Sequence, residues 1–360
     1  MKIGILTFHR AFNYGAVLQC YALQCYLQSL GHDVYVIDYR QPWTESLRKT
    51  ISFGKIKQLY IHPRALFFYL IKSSYRKKNM AKSKLIFDDF LNKYLNIKDT
   101  CFQYNGFPSD YDCYIIGSDQ LWGKSCLGGK FDDVYMGDFP HKDQSKVIGY
   151  AISSSEQSIS SLSKCYLEKI ANRFSALSFR ESKISELIGN KLDTVFQTCI
   201  DPTLLCDQNI WDKIVDYKWK EKQYILIYEA RDSVMYPNLL YKKACELQAK
   251  VGNIEIINLS KMEYSVSDFV SAFRFAKCII TTSFHATVFS IIFKRPFYSI
   301  KLNDGADGRY VNLLRQLGLS AQCVSPEISP IIPIIDYKNI DNLLKQYRKQ
   351  SLDFLNDLLS

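Results

Sequence analysis

"KIGILTFHRAFNYGAVLQCYALQCYLQSLGHDVYVIDY" (residues 2–39) decides the fold. KIGILTF is an apolar run of one strand's length, HRAFNYG a polar loop, AVLQCYALQCYLQSL an apolar helix and DVYVIDY a second strand, with Gly31 as the helix stop. A strand–helix–strand unit of this kind pairs its strands in parallel through a right-handed crossover. The loop holds a single glycine, Gly15, so the G-x-G-x-x-G signature of a dinucleotide site is missing. Nicotinamide and flavin chemistry are disfavoured.

The same alternation runs outward from this unit. A basic helical stretch at about 45–98 interrupts it, and YDCYIIGS (111–118), SKVIGYAIS (145–153), SALSFR (175–180) and TVFQTCIDP (194–202) then read as strands separated by helices. Residues 207–222 are polar and lysine-rich and read as a linker. A second set begins at YILIYEA (224–230) and continues through IEIINLS (254–260), KCIITTS (277–283) and PFYSIK (296–301). The expectation is an α/β protein of two Rossmann-like domains, residues 1–206 and 223–336. A C-terminal helix over 337–360 is expected to pack back on the first domain. Parallel sheets bind ligands outside the carboxyl ends of their strands, so the site is expected in the cleft between the domains.

Composition narrows the class. The chain has 360 residues, 47% hydrophobic and 23% charged, which supplies two cores. The opening apolar run is too short for a signal peptide, and ALFFYLI (65–71) is too short to span a bilayer, so a cytoplasmic location is expected. Eleven cysteines without a C-x-x-C suit a reducing compartment and argue against a cysteine metal site; no metal is expected. Much of the net charge of +10 comes from Arg48, Lys49, Lys55, Lys57, Arg64, Lys72, Arg76, Lys77, Lys78, Lys82 and Lys84. Two readings of that stretch stay open: a solvated helical face, or an approach surface for anionic lipid and a lipid-linked substrate at the inner membrane face. No nucleic-acid-binding motif accompanies it, and nucleic acid is not expected as a partner.

The candidate chemistry lies just after strands. Ser283 reads as the cap of the helix behind KCIITT, where free N–H groups favour an anion, and His285 stands in its first turn. Local reading leaves His285 balanced between a core ring and a catalytic one, while Phe284 reads as scaffold. Arg180 ends a strand and suits either capture of a carboxylate or phosphate, or a surface ion pair. In IIGSDQLW (115–122), Asp119 can orient a hydroxyl, with Gln120 beside it; Trp122 offers a sugar-stacking face or packs into the core. His9, Arg10, Asn13 and Gly15 share one loop, and Lys301, Asp304 and Arg309 another. No nucleophile elbow, zinc helix or phosphate loop is present. The set favours an anionic small substrate and proton transfer.

Four segments together resemble the polysaccharide pyruvyl transferase family: HRAFNYGAVLQCYALQ (9–24), DYDCYIIGSDQLW (110–122), SFRE with DPTLL (178–181 and 201–205), and TTSFHATVFSIIFKRPF (281–297). The resemblance implies a type-B glycosyltransferase-like fold. It implies phosphoenolpyruvate as co-substrate with no resident cofactor, and a sugar diol on a polysaccharide or lipid-linked oligosaccharide as acceptor, giving a pyruvate ketal and phosphate. By resemblance His285 matches the family's histidine and Arg180 its donor-binding arginine; the chemistry gives His285 the role of acid, or that of steadying the phosphate as it leaves. Ser283, Asn13, Lys301 and Arg309 would complete the donor site. Asp119 would be the acceptor base, and Trp122, Gln120 and His9 would hold the acceptor. The chain departs from the family pattern at Ala286, at YAISSSEQ (150–157) and at Gly123. A nucleotide-sugar glycosyltransferase of the same architecture is the alternative, with Glu229 as its one obvious ribose partner; a glycan-binding protein without catalysis is the third reading.

Overall fold

A computed structural model describes residues 1–47, 81–102, 106–230, 235–260, 264–303, 305 and 307–360. Most of the basic stretch, including ALFFYLI, and Asp304 lie outside the described residues. The first seven strands are β1 (Lys2–Leu6), β2 (Asp33–Tyr39), β3 (Ile97–Cys101), β4 (Cys113–Ile116), β5 (Lys146–Ile152), β6 (Ala176–Phe179) and β7 (Gln197–Thr198). They form one parallel sheet in the order β3-β2-β1-β4-β5-β6-β7. The other five are β8 (Tyr224–Tyr228), β9 (Glu255–Asn258), β10 (Cys278–Thr281), β11 (Phe297–Ile300) and β12 (Cys323–Val324). They form a second parallel sheet, β12-β11-β10-β8-β9.

These are two Rossmann-like domains, and the sequence pattern explains them. In β1 the residues Ile3, Ile5 and Leu6 are fully buried, because a parallel sheet is covered on both faces and reads as a continuous apolar run. Each sheet reverses its strand order once, between β1 and β4 and between β10 and β8. The loops leaving these strands are where such sheets open a crevice.

The helix Tyr14–Ser29 is buried from Tyr14 through Gln24, which fits a helix that is apolar nearly all round. Asn13 caps it, accepting from the N–H groups of Gly15 and Ala16. The helix is a shared wall between the domains. Tyr14 stacks on Phe269 of the second domain, with centroids 4.4 Å apart, and its hydroxyl donates to the Tyr264 carbonyl.

Two expectations differ in detail. Residues 207–222 contain the helix Asn209–Asp212 and the turn Tyr217–Trp219, and Trp211, Ile214 and Trp219 are buried in the common core. Their polar neighbours hid three apolar anchors. The strand expected over TVFQTCIDP is only Gln197–Thr198; Val195 is exposed, and Asp201 instead caps the helix Pro202–Leu205.

The helix Tyr337–Leu359 begins against the second domain, where the Tyr337 hydroxyl donates to the Arg295 carbonyl. It then crosses to the first, where the Ser351 hydroxyl accepts from Ile200 N and Arg348 donates to the carbonyls of Leu204 and Cys206. All eleven cysteines are free. Among the described residues no helix is long and apolar enough to cross a membrane, and no group of three His, Cys, Asp or Glu is placed to hold a metal ion.

Candidate active site

The end of β5 sets the site's geometry. Its pairing with β6 slips between Gly149 and Ile152, and Ala151 adopts a positive φ of 47°. The Ser178 hydroxyl accepts from Ala151 N, and the Ser118 hydroxyl donates to the Ala151 carbonyl. This bend re-aims the chain that follows, a common use of such irregularities beside functional sites. It brings the Ser153 hydroxyl to the end of β6, where Arg180 and Glu181 leave the sheet. Gly117 permits the approach of the β4 turn to β5: its φ is 134°, and a Cβ there would strike the Tyr150 carbonyl.

Arg180 is almost wholly buried and all three of its nitrogens have protein acceptors. Nε donates to Glu181 Oε1 (3.1 Å), Nη1 to Asp201 Oδ2 (2.6 Å) and Nη2 to Ser153 Oγ (2.8 Å). The ring of Phe284 covers its guanidinium at 4.5 Å, so this residue takes part in the cluster. Burial alone would lower the Arg180 pKa, but Glu181 and Asp201 outweigh it and hold the value raised.

Asp201 is fully enclosed. Burial pushes its carboxyl up, but the His285 ring, the Arg180 guanidinium and the Thr203 hydroxyl together hold it well below the usual carboxylate range. It stays ionised at the centre of the cluster.

His285 enters from the second domain, in the first turn of the helix Phe284–Ile292, which Ser283 caps by accepting from Ala286 N. Its Nε2 lies 3.6 Å from Asp201 Oδ2, an ion-pair distance longer than a hydrogen bond, and has no hydrogen-bond partner among the described residues. The ring packs against Gly15 of the first domain so closely that a Cβ at position 15 would overlap it outright. Gly15 is therefore a socket for the ring. Its spacing two residues after Asn13 follows from the helix start at Tyr14, but its reason is visible only across the interface.

Beside this cluster opens a cleft of about 1290 Å³ between the domains. Gln120, Ser154, Ser155, Glu181 and Ser182 line it from the first domain; Arg309 and Asn312 line it from the second. A smaller cavity of about 80 Å³ touches Arg180, Asp201, Phe284, Glu181 and Arg309, so the last two border both spaces. Arg309 has no hydrogen-bond or ion-pair partner among the described residues. Burial, reinforced by the nearby Arg180 charge, lowers its pKa, with Asp119 and Glu181 acting against that. This is a half-buried guanidinium with the carboxylates of Asp119 and Glu181 in range but not in contact.

The remaining candidates fall in different places. Asp119 is buried at a φ of 73° and accepts from Gln120 N through Oδ1 (2.8 Å), close enough to Arg180 and Arg309 to bias both. Asn13, Ser283 and Lys301 border neither cavity; the first two spend their side chains as helix caps, and Lys301 lies beside Cys323. Glu229 follows β8 and borders neither cavity.

Two expected acceptor residues are corrected by the structure. Trp122 is 1% exposed; its Nε1 donates to the Tyr135 carbonyl, and Phe174 and Phe179 pack edge-on against it, so it offers no face to a sugar. The ring nitrogens of His9, itself fully buried, sit 3.2 Å from the Thr7 carbonyl and 3.1 Å from Asp38. Sequence reasoning gave no role to Glu181 and Ser153. A glutamate directly after the arginine in SFRE was the one available signal.

Fold and site together define a two-domain α/β protein of type-B glycosyltransferase-like architecture with an arginine–carboxylate cluster beside its interdomain cleft. A family model for polysaccharide pyruvyl transferase matches residues 13–304, and the chain belongs to that family. No curated protein matches it significantly. Similar solved structures include a Listeria monocytogenes protein described as a UDP-N-acetylglucosamine 2-epimerase (9% identity, 99% of this chain and 88% of that one, TM-score 0.48). They also include the Neisseria meningitidis UDP-GlcNAc 2-epimerase bound to UDP-GlcNAc (10% identity, 98% and 100%, TM-score 0.43). A third is the E. coli heptosyltransferase WaaC with ADP (11% identity, 98% and 100%, TM-score 0.39).

Proposed function

We propose that the protein transfers a pyruvyl group from phosphoenolpyruvate to a sugar diol of a surface polysaccharide or its lipid-linked precursor, releasing phosphate. Family membership supports the reaction class. The observation that carries the donor is Arg309, a partly buried guanidinium without a hydrogen-bond or ion-pair partner among the described residues, bordering both cavities. Phosphoenolpyruvate brings a carboxylate and a phosphate, and either would satisfy it. Arg180, expected to grip the donor, commits all three of its nitrogens to Asp201, Glu181 and Ser153, so its main share in this reading is to hold those groups and add positive field.

Protonating the enol carbon requires an acid, and His285 is the proposed one. Its ring stands 3.6 Å from Asp201, and a positioned acid contributes roughly two to four decades in rate. Lys301, Ser283 and Asn13 recede to supporting positions in this reading. The serine-rich wall and Gln120 suit an uncharged, hydroxyl-rich acceptor. A lipid-linked acceptor and a peripheral membrane contact follow from the basic stretch around 48–84, and sedimentation with anionic vesicles tests that contact.

The test of the reaction is phosphate release from phosphoenolpyruvate in the presence of diol-bearing glycosides, alongside calorimetry. Binding of phosphoenolpyruvate is the expected result. Binding of uridine or guanosine diphosphate with none of phosphoenolpyruvate overturns the reading in favour of a nucleotide-sugar enzyme.

A further inference from the structure

Glu181 is 8% exposed and divides its two carboxylate oxygens between different tasks. Oε1 accepts from Ser153 Oγ (2.7 Å) and Arg180 Nε (3.1 Å), which fixes the carboxylate in place. Oε2 is buried and has no hydrogen-bond partner among the described residues. A buried acceptor left without a donor is destabilising, more so when charged, so it is an unusual thing to retain beside a cleft. The same residue borders the large cleft and the small cavity, with Arg309 opposite it. Asp119 is less suited to the role, since Oδ1 is engaged by its own turn and Asp119 borders neither cavity.

We propose that Glu181 is the catalytic base for the acceptor: a sugar hydroxyl in the cleft donates to Oε2 and loses its proton there. This rests on the pyruvyl-transfer reading. The first acceptor O–H bond breaks as its proton passes to Oε2, while the oxygen bonds to C2 of phosphoenolpyruvate. C3 takes a proton from the acid, turning CH2 into CH3 and leaving C2 tetrahedral with the phosphate attached. The second hydroxyl then bonds to C2, the C2–O bond to phosphate breaks with its electron pair leaving on phosphate, and the second proton ends on that phosphate. The proton on Glu181 leaves to solvent, and solvent restores the acid. Two hydroxyl protons are thereby matched by one new C–H bond and one protonated phosphate.

Glu181→Gln keeps the shape and can still accept from Ser153 and Arg180, but cannot take a proton. With p-nitrophenyl hexopyranosides as acceptors, kcat should fall about 100- to 10,000-fold, while the KM for phosphoenolpyruvate stays within about threefold. Glu181→Asp should recover part of the rate, and added formate should raise turnover of Glu181→Ala. If no glycoside is turned over, the slow release of phosphate with water as acceptor gives the same comparison. A Gln variant within about threefold of the parent kcat overturns the role of Glu181 and leaves the transferase reading standing. So does a loss confined to KM and melting temperature without formate rescue. A parent protein silent with every glycoside and with water overturns the transferase reading itself.

Discussion

Two first-domain carboxylates centre clusters built from the same residue types, and the clusters differ in what is left over. Around Asp38, at the end of β2, the partners are His9, Arg10, both Nε and Nη2 of Arg40, and the Thr100 hydroxyl at 2.8 Å. Around Asp201 they are Arg180, Thr203, Ser118 and His285. Both carboxylates are held below their ordinary range by these neighbours against the opposing effect of burial. In the Asp38 cluster both His9 nitrogens have acceptors. In the Asp201 cluster His285 Nε2 and Glu181 Oε2 have no hydrogen-bond partner among the described residues, and a cleft lies alongside. A histidine, an aspartate and an arginine in contact make a brace; unspent valence facing a cavity is what turns a brace into a site.

The largest test of that contrast is kinetic. His285→Ala should reduce turnover by about two to four decades while phosphoenolpyruvate still binds by calorimetry. A variant that turns over at the parent rate removes the acid assignment. Next comes Arg180→Ala, which removes the guanidinium bonded to both Asp201 and Glu181 Oε1. Its cost should be about 3–5 kcal/mol in denaturant unfolding. By contrast Arg40, a third exposed at its side chain, should lose no more than about 1 kcal/mol on replacement by alanine, with turnover unchanged. Gly15→Ala should cost about 1–3 kcal/mol through overlap with the His285 ring, and should lower kcat as the ring is displaced.

The smallest effect is in acid. A carboxylate with a depressed folded pKa contributes stability that is complete above its unfolded value, near 3.9, and is lost as pH falls below it. Asp38→Asn and Asp201→Asn should therefore each flatten the acid side of a stability–pH curve. An unchanged slope in either variant would show that its cluster is not charged as described.

Much of this was legible in the chain. Apolar runs of strand length separated by helical ones lead directly to two parallel sheets, and the residues just after the strands include Arg180, Asp201 and His285. What could not be read is what depends on contacts distant in sequence. Trp122 follows a tight turn, and nothing local says whether an indole there faces sugar or Phe174 and Phe179. His9 shares a loop with Arg10 and Asn13, but its partner, Asp38, lies on another strand. Trp211, Ile214 and Trp219 sit among lysines and aspartates whose composition masks three buried anchors. Gly15 looks like a helix-start glycine until the His285 ring is brought against it from a point 270 residues later in the chain.

The helix Tyr337–Leu359 gives the last of these long-range ties a mechanical meaning. By bonding Ile200 N through Ser351, it fastens the backbone immediately before Asp201, while its first turn is fastened to Arg295 behind the His285 helix. One rigid rod is thus bolted to the backing of both halves of the ion pair. The spacing between Asp201 and His285 is thereby tied to a single helix.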